Sequence, residues 1–230
     1  MTNFPVNQSL FFPFAMDEYI AAQLLKLKKE YDIIAAVETG TYLGGTFRWL
    51  YDNFEKVYSC EINPEYYQLC CNLIFNEQHS TEMETYPGRI INLPDMGEMM
   101  LSNQNSVDFI DEIASQLDNR TLFFLDAHWY NYCPLLDELA AIARHKLRPA
   151  VIAIHDFVTD HPDQLGYDSY QSQAFTLEWI KPAITEIYGQ DWTHAYNTPE
   201  TSMGEKRGII YITPKPPKPE YGETGQTLRS

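Results

Sequence analysis

Val37-Glu38-Thr39-Gly40-Thr41-Tyr42-Leu43-Gly44-Gly45-Thr46 is the stretch on which the fold of this chain turns. The apolar run Ile33 to Val37 leads into it and reads as a buried strand. The segment Phe47 to Phe54 leads out of it and reads as a helix. Glycine at Gly40 and Gly44 lets the backbone turn sharply and lets a ligand approach without a Cβ in the way. The free N–H groups of the helix that follows point at the same place and favour an anionic group.

What this turn lacks narrows the ligand. A dinucleotide fingerprint needs G-x-G-x-x-G, and Gly40 is followed by Thr41 and Tyr42. A phosphate loop needs a lysine after its last glycine, and none follows Gly44 or Gly45. The carboxylate of Glu38 would repel a pyrophosphate, whereas it suits a ligand bearing an ammonium, such as the methionine end of S-adenosylmethionine. The alternative is a tight strand-to-helix connection with no ligand.

A second acid supports the ligand reading. Val57 to Cys60 is a short apolar strand, and Glu61 stands at its end, 21 residues after Gly40. In a doubly wound sheet the second strand lies beside the first, so an acid there faces the glycine turn and can accept bonds from ribose hydroxyls.

Further along, apolar runs alternate with amphipathic stretches. Pro64 opens a helix that Glu65 to Asn76 continues. Arg89 to Leu93 reads as a weak third strand, Val107 to Leu117 as a helix and Leu122 to Leu125 as a strongly apolar strand. Leu135 to Arg144 is a helix, Val151 to Ile154 a strand, and Phe175 to Tyr188 a long helix ended by Gly189. Trp192 to Tyr196 and Ile209 to Ile212 form a closing antiparallel pair. This order predicts an α/β fold: a Rossmann-like, doubly wound, mostly parallel seven-stranded sheet with a terminal antiparallel hairpin. Residues 1–32, with a helix from Asp17 to Lys29, are expected to form a lid or packing segment. Residues 33–213 form the main domain, and the Pro-rich residues 214–230 a flexible tail.

Composition sets limits on partners. The 230 residues are 44% hydrophobic and 14% aromatic, a globular balance. The net charge of −16 makes nucleic acid and membrane surfaces poor partners. The four cysteines, Cys60, Cys70, Cys71 and Cys133, have no C-x-x-C spacing and read as free thiols. With no signal peptide and no apolar run near the roughly 20 residues of a membrane span, a cytoplasmic location is expected. The apolar stretch Leu10-Phe11-Phe12-Pro13-Phe14 leaves room for a homodimer contact.

Taken together, Glu38-x-Gly40-x-Tyr42-x-Gly44-x-Thr46 and Glu61-x-Asn63-Pro64-x-Tyr66 resemble the cofactor half of class I S-adenosylmethionine-dependent methyltransferases. More narrowly, they are similar to the metal-dependent O-methyltransferases acting on catechols and caffeoyl-CoA. The resemblance spans residues 33–213 and implies roles. Glu38 and Gly40 would lie along the methionine, with Tyr42 filling the middle of the turn and Thr46 bonding the carboxylate. Glu61 would hold the ribose, and Asp95 and Met96 would flank the adenine. Leu93-Pro94-Asp95 departs from the small glycine turn usual at that last position.

The second half carries the chemistry. Asp126-Ala127-His128 follows the strand Leu122 to Leu125, and His155-Asp156 follows Val151 to Ile154. Both strand ends face the ligand crevice of an open sheet. The resemblance implies one divalent ion on Asp126, His155 and Asp156, with His155 replacing a carboxylate. That either shifts the preference from magnesium toward manganese, iron or zinc or abolishes metal binding. The family's lysine base is absent, and Trp129, Tyr130 and Asn131 stand near its place. His128 is the best local substitute for proton removal, alongside Asp126. The expected reaction is methyl transfer to a hydroxyl of a small-molecule acceptor. Val158 to Ser169 would form a lid, with Trp129, Tyr130, Tyr132, Phe157, Tyr167, Tyr170 and Phe175 around it. Two alternatives remain at this level. One is a metal-dependent phosphoester hydrolase built on Asp126-x-His128 and His155-Asp156, with His161 and His194 downstream. The other is a protein that binds S-adenosylmethionine without catalysis.

Overall fold

The computed structural model describes residues 12–75, 89–92, 98–128 and 132–215. Its elements are α1 (Glu18–Tyr31), β1 (Ala35–Thr39), α2 (Gly45–Asn53), β2 (Lys56–Cys60), α3 (Pro64–Phe75), β3 (Arg89–Asn92), β4 (Glu98–Ser102), α4 (Ser106–Ile113), β5 (Thr121–Leu125), α5 (Leu135–Arg144), β6 (Val151–His155), β7 (Ser169–Tyr170), β8 (Gln173–Ala174), α6 (Leu177–Tyr188), β9 (Trp192–Tyr196) and β10 (Ile209–Pro214).

The main sheet runs β3-β4-β2-β1-β5-β6-β10-β9. From β4 to β6 all pairings are parallel. At the far side β10 is antiparallel to β6 and β9 antiparallel to β10. These seven strands are the expected sheet with its terminal hairpin. To them the chain adds β3, an antiparallel strand on the edge of β4. The strand order reverses at β1, so a crevice opens beyond its carboxyl end, between β2 and β5.

The sheet is buried on both faces. One face holds Ile20, Leu24, Phe47, Leu50, Val57, Cys70, Phe124 and Ala153, packed by α1, α2 and α3. The other holds Val37, Tyr58, Phe123 and Ile152 against Ile110, Leu139, Ile142, Ile180 and Ile184 from α4, α5 and α6. This two-faced burial is why β1, β5 and β6 read as continuous apolar runs rather than alternating ones.

Several sequence expectations shift. Arg89 to Leu93 is not the third parallel strand, since Arg89–Asn92 runs antiparallel at the edge. The third parallel strand is β4, whose Met99 and Met100 carry little strand signal. β1 begins two residues later than expected, so Glu38 and Thr39 belong to the strand and Gly40 follows it. Asp17 caps α1 instead of opening it, accepting the N–H groups of Tyr19 and Ile20. Thr176 likewise caps α6 through the Trp179 N–H. The helix expected from Val107 to Leu117 ends at Ile113 and passes into a short 3-10 turn. All four cysteines are free, and no described helix is long and apolar enough to cross a membrane.

The turn Pro13–Met16 before α1 docks on the core. Phe14 is buried against Trp49 and Phe124, with ring centroids 5.0 and 5.3 Å away. That placement uses Phe14 inside the fold rather than at a contact between copies. Leu10 and Phe11 lie outside the described residues.

Candidate functional site

The glycine turn is built by hydrogen bonds to its neighbours. Gly40 and Thr41 both donate to the Cys60 carbonyl, at 3.0 Å each, tying the turn to the end of β2. Gly40 has φ +83°, and an added Cβ there would lie 2.7 Å from the Asp126 carbonyl oxygen. Glycine is therefore required both for the turn and for its close approach to the loop after β5. Gly44, with φ +81°, starts α2.

Glu61 stands at the end of β2, 7% exposed. Its carboxylate accepts the Tyr42 and Asn63 N–H groups, each at 2.8 Å. Burial pushes its pKa up, and these backbone bonds work against that. Two amides thus fix the carboxylate at the mouth of the glycine turn. The Tyr42 ring packs edge-on to Tyr66 at 4.6 Å. Glu38 is buried in β1 beside Ser59, which donates to it, and Ser59 shares a 2.6 Å hydrogen bond with Thr41. Burial lifts the Glu38 carboxyl to about 8, against the Ser59 bond. Thr46 accepts the Phe14 N–H at 3.0 Å, so its oxygen anchors the N-terminal turn. Asp95 and Met96 lie outside the described residues. Because the third parallel strand is β4, the crevice position after it belongs to residues 102–105 instead. Asn103 there donates to the Glu61 carbonyl at 2.7 Å.

Across the crevice, the ends of β5 and β6 bring together Asp126, His128, His155 and Asp156, while Trp129, Tyr130 and Asn131 lie outside the described residues. Asp126 is held by its own N–H, which donates to the carbonyl and hydroxyl oxygens of Thr39, 3.2 Å each. His155 Nδ1 lies 3.2 Å from Asp126 Oδ1 and 3.5 Å from Asp156 Oδ1. His128 Nε2 lies 3.0 Å from Asp156 Oδ2, 3.7 Å from Asp168 Oδ2 and 3.9 Å from Asp126 Oδ1. The His128 ring meets Phe175 edge-on at 4.8 Å. Asp156 sits at φ +56°, a left-handed conformation that turns the chain out of β6.

Three further residues at this site, Asp168, Arg207 and Glu138, lie outside the sequence expectations. Asp168, at the end of the loop after β6, donates its N–H to the Asp156 carbonyl at 2.9 Å. Arg207, just before β10, donates from Nε to Asp156 Oδ1 and from Nη2 to Asp168 Oδ1. Neither has a local motif, because each reaches the site from an element far along the chain. Glu138 is 1% exposed on α5, and burial raises it to about 7 against the nearby Ser106 and Thr39 hydroxyls. An acid on the apolar face of an amphipathic helix was its one readable trace.

The charges interlock. Burial alone would raise the Asp156 carboxyl. The charge of His155, the His128 bond and the Arg207 guanidinium outweigh it and hold the group well below the usual carboxylate range. Burial alone would lower His155, but Asp156 and Asp126 lift it to about 9. His128 is also raised, since Asp156, Asp126 and Asp168 together outweigh burial. A pH dependence of stability follows. His155 stabilises the fold fully below its ordinary 6.5, and that contribution is lost as pH rises through about 9. Protonated Glu38 and Glu138 act in the same sense, with stability present below 4.5 and lost through about 8 and 7. Asp156 acts oppositely, its contribution being lost only as pH falls below 3.8. Melting followed by circular dichroism should show a melting temperature lower at pH 9 than at pH 6. His155 alone accounts for a loss on the order of 3 kcal/mol, or roughly 6–12 °C for a chain of this size, and the two glutamates add to it in the same direction. A melting temperature that rises toward pH 9 would contradict it.

The donors expected to hold a divalent ion are close enough for one. Asp126, His155 and Asp156 each offer an atom within 4.8 Å of the others, and so do His128, Asp156 and Asp168. The obstacle is Arg207, which stands against both carboxylates of the second set, one of which, Asp156, belongs to the first set as well. Asp156 has one oxygen toward Arg207 and the other toward His128, and Asp126 faces His155. With Arg207 in place the residues do not fit a resident divalent ion.

Known proteins agree on the fold. No family model matches this chain, and no curated protein matches it. Solved structures do. An O-methyltransferase from Bacillus cereus in complex with SAH is 14% identical, covering 93% of this chain and 94% of its own, with a TM-score of 0.51. The O-methyltransferase TomG from Streptomyces achromogenes, in complex with SAM, is 13% identical over 86% of this chain and 80% of its own, with a TM-score of 0.52. The methyltransferase domain of bacterial CtHen1 is 10% identical over 86% and 98%, with a TM-score of 0.56. Identities this low speak to architecture alone, and the architecture of this chain is the Rossmann-like fold of the class I S-adenosylmethionine-dependent methyltransferases.

Proposed function

We propose that this chain transfers a methyl group from S-adenosylmethionine to a hydroxyl of a small-molecule acceptor. The observation that carries this reading is the Glu61 carboxylate, fixed by the Tyr42 and Asn63 amides beside the glycine turn. Its free lone pairs suit the two ribose hydroxyls. The cofactor's methionine end lies along Glu38, Gly40 and Gly44, with Thr46 at its carboxylate, and the adenine meets residues 102–105. The solved O-methyltransferases of like fold, with SAM or SAH bound, support this cofactor.

In the transfer, an acceptor oxygen attacks the methyl carbon, the carbon–sulfur bond breaks, and the thioether product leaves neutral. The sulfonium carries the chemistry, while the protein positions the acceptor and takes its proton. His128 takes the second task. Asp156 accepts from Nε2–H of His128, which leaves the lone pair on Nδ1 as the base. This is the carboxylate–imidazole arrangement that holds a tautomer and strengthens a base. Asp126 lines the crevice between His128 and the glycine turn.

Calorimetry tests the cofactor. The full-length protein should bind S-adenosylmethionine, and Glu61→Ala should bind it about 10- to 100-fold more weakly, the effect of losing hydrogen bonds to a charged group. If the unmutated chain shows no binding, the reading falls. Hydrolysis of a phosphoester with added manganese by a chain that does not bind S-adenosylmethionine would put the hydrolase in its place.

A further inference from the structure

The four ends of the Arg207 contacts divide the carboxylates in a regular way. Arg207 takes Oδ1 of Asp156 and Oδ1 of Asp168, while Oδ2 of each faces His128 Nε2. The guanidinium therefore bridges the end of β6 to the end of the loop that follows it.

Its position is built from both sides. Gly166 donates to the Lys206 carbonyl at 2.9 Å, and Gly208 donates to the Gly166 carbonyl at 2.8 Å, so the backbone on each side of Arg207 is pinned to the loop. A Cβ on Gly166 would lie 2.9 Å from Arg207 Nη1, so the side chain lies directly over a glycine. The Arg207 carbonyl accepts from the buried amide of Asn197 at 2.8 Å. An arginine held in this way is a fixed part of the site and not a solvated arm.

Resting on the methyltransferase reading above, we propose that Arg207 takes the place of the divalent ion: its guanidinium balances the carboxylates of Asp156 and Asp168, and the chain works without a metal. A planar guanidinium presents fixed donors to two carboxylate oxygens at once, which suits this bridging task better than a mobile ammonium. With Arg207 removed, the Oδ1 atoms of both carboxylates are released. They join His128, His155 and Asp126 in a mixed imidazole and carboxylate set of the kind that binds manganese or zinc.

Manganese titration by calorimetry, on the full chain stripped of metal by chelator, tests this directly. The unmutated protein should show no saturable manganese binding up to about 1 mM, and chelator should leave both its melting temperature and its S-adenosylmethionine affinity unchanged. Arg207→Met should gain a saturable site at least 10-fold tighter, lost again in Arg207→Met/Asp156→Asn. Saturable binding by the unmutated chain that Asp156→Asn abolishes would overturn the proposal, as would a folded Arg207→Met that gains no site. If Arg207→Met does not fold, the unmutated chain alone decides by the same criterion. S-adenosylmethionine is titrated in parallel. A chain that binds neither manganese nor S-adenosylmethionine overturns the function, and with it the present proposal. One that binds both overturns only the role of Arg207.

Discussion

Asp156→Ala is expected to abolish methyl transfer and to destabilise the fold by about 3–5 kcal/mol, the cost of removing one partner from a buried charge pair. The size of the effect follows from how many groups depend on this one carboxylate. His128, His155 and Arg207 all face it. Without it, Arg207 keeps Asp168 and His155 keeps Asp126, but the buried His128 loses its 3.0 Å partner. Arg207, His155 and His128 then share two carboxylates in a partly closed site. His128 also loses the bond that fixes its tautomer, so both its orientation and its base strength fall. Chemical denaturation reads the stability, and a methyl-transfer assay with radiolabelled S-adenosylmethionine reads the activity. Asp156→Asn separates the two roles, because it keeps the shape and removes the charge. An Asp156→Ala protein of unchanged stability would show that these contacts carry no net energy. Cofactor binding should survive in both variants, since the side-chain partners of Asp156 are His128, His155 and Arg207, while Glu61 is held by the Tyr42 and Asn63 amides.

The first half of the site was legible in the sequence because its residues are close together in the chain. Glu38, Gly40, Gly44 and Glu61 belong to one strand–turn–helix–strand unit, where local rules of backbone and charge apply. The strands β1, β5 and β6 were legible for a related reason, as their two-faced burial leaves uninterrupted apolar runs. The third parallel strand was not. Glu98–Ser102 is rich in methionine, which fits either a helix or a strand, whereas the nearby Arg89–Asn92 has the β-branched signal and takes the edge. That displacement is why the adenine expectation falls on Asp95 and Met96, which precede β4 and lie outside the described residues. In the second half, Asp126, His128, His155 and Asp156 could be gathered from the ends of two strands. Asp168 and Arg207 could not, because their approach depends on how a loop folds back on the start of β10. The ion expected from the family resemblance and the arginine found in the structure are two answers to one electrostatic problem, and only the tertiary contact distinguishes them.

Gly40→Ala is expected to weaken S-adenosylmethionine binding by at least about 10-fold and to destabilise the protein by about 2–5 kcal/mol. Two independent costs add at this position. A left-handed conformation at φ +83° costs a residue with a Cβ roughly 1–2 kcal/mol. The new methyl would also meet the Asp126 carbonyl oxygen at 2.7 Å and Ala127 Cα at 2.9 Å, and both are backbone atoms with little freedom to yield. Overpacking of that kind costs about 1–3 kcal/mol. Relief requires the glycine turn and the loop after β5 to separate. That movement stretches the bonds from Gly40 and Thr41 to the Cys60 carbonyl, and it shifts Tyr42, whose N–H holds Glu61. The same displacement pushes Asp126 away from Thr39 and carries His128 with it. One methyl group therefore disturbs both halves of the crevice at the point where they touch. Gly44→Ala provides the comparison. It shares the left-handed backbone, at φ +81°, so it should carry the conformational cost. If the close approach to Asp126 is what matters, Gly40→Ala must lose cofactor affinity and methyl transfer together and by more than Gly44→Ala does. Equal losses in the two variants, measured by calorimetry and by denaturation, would assign the whole effect to backbone strain.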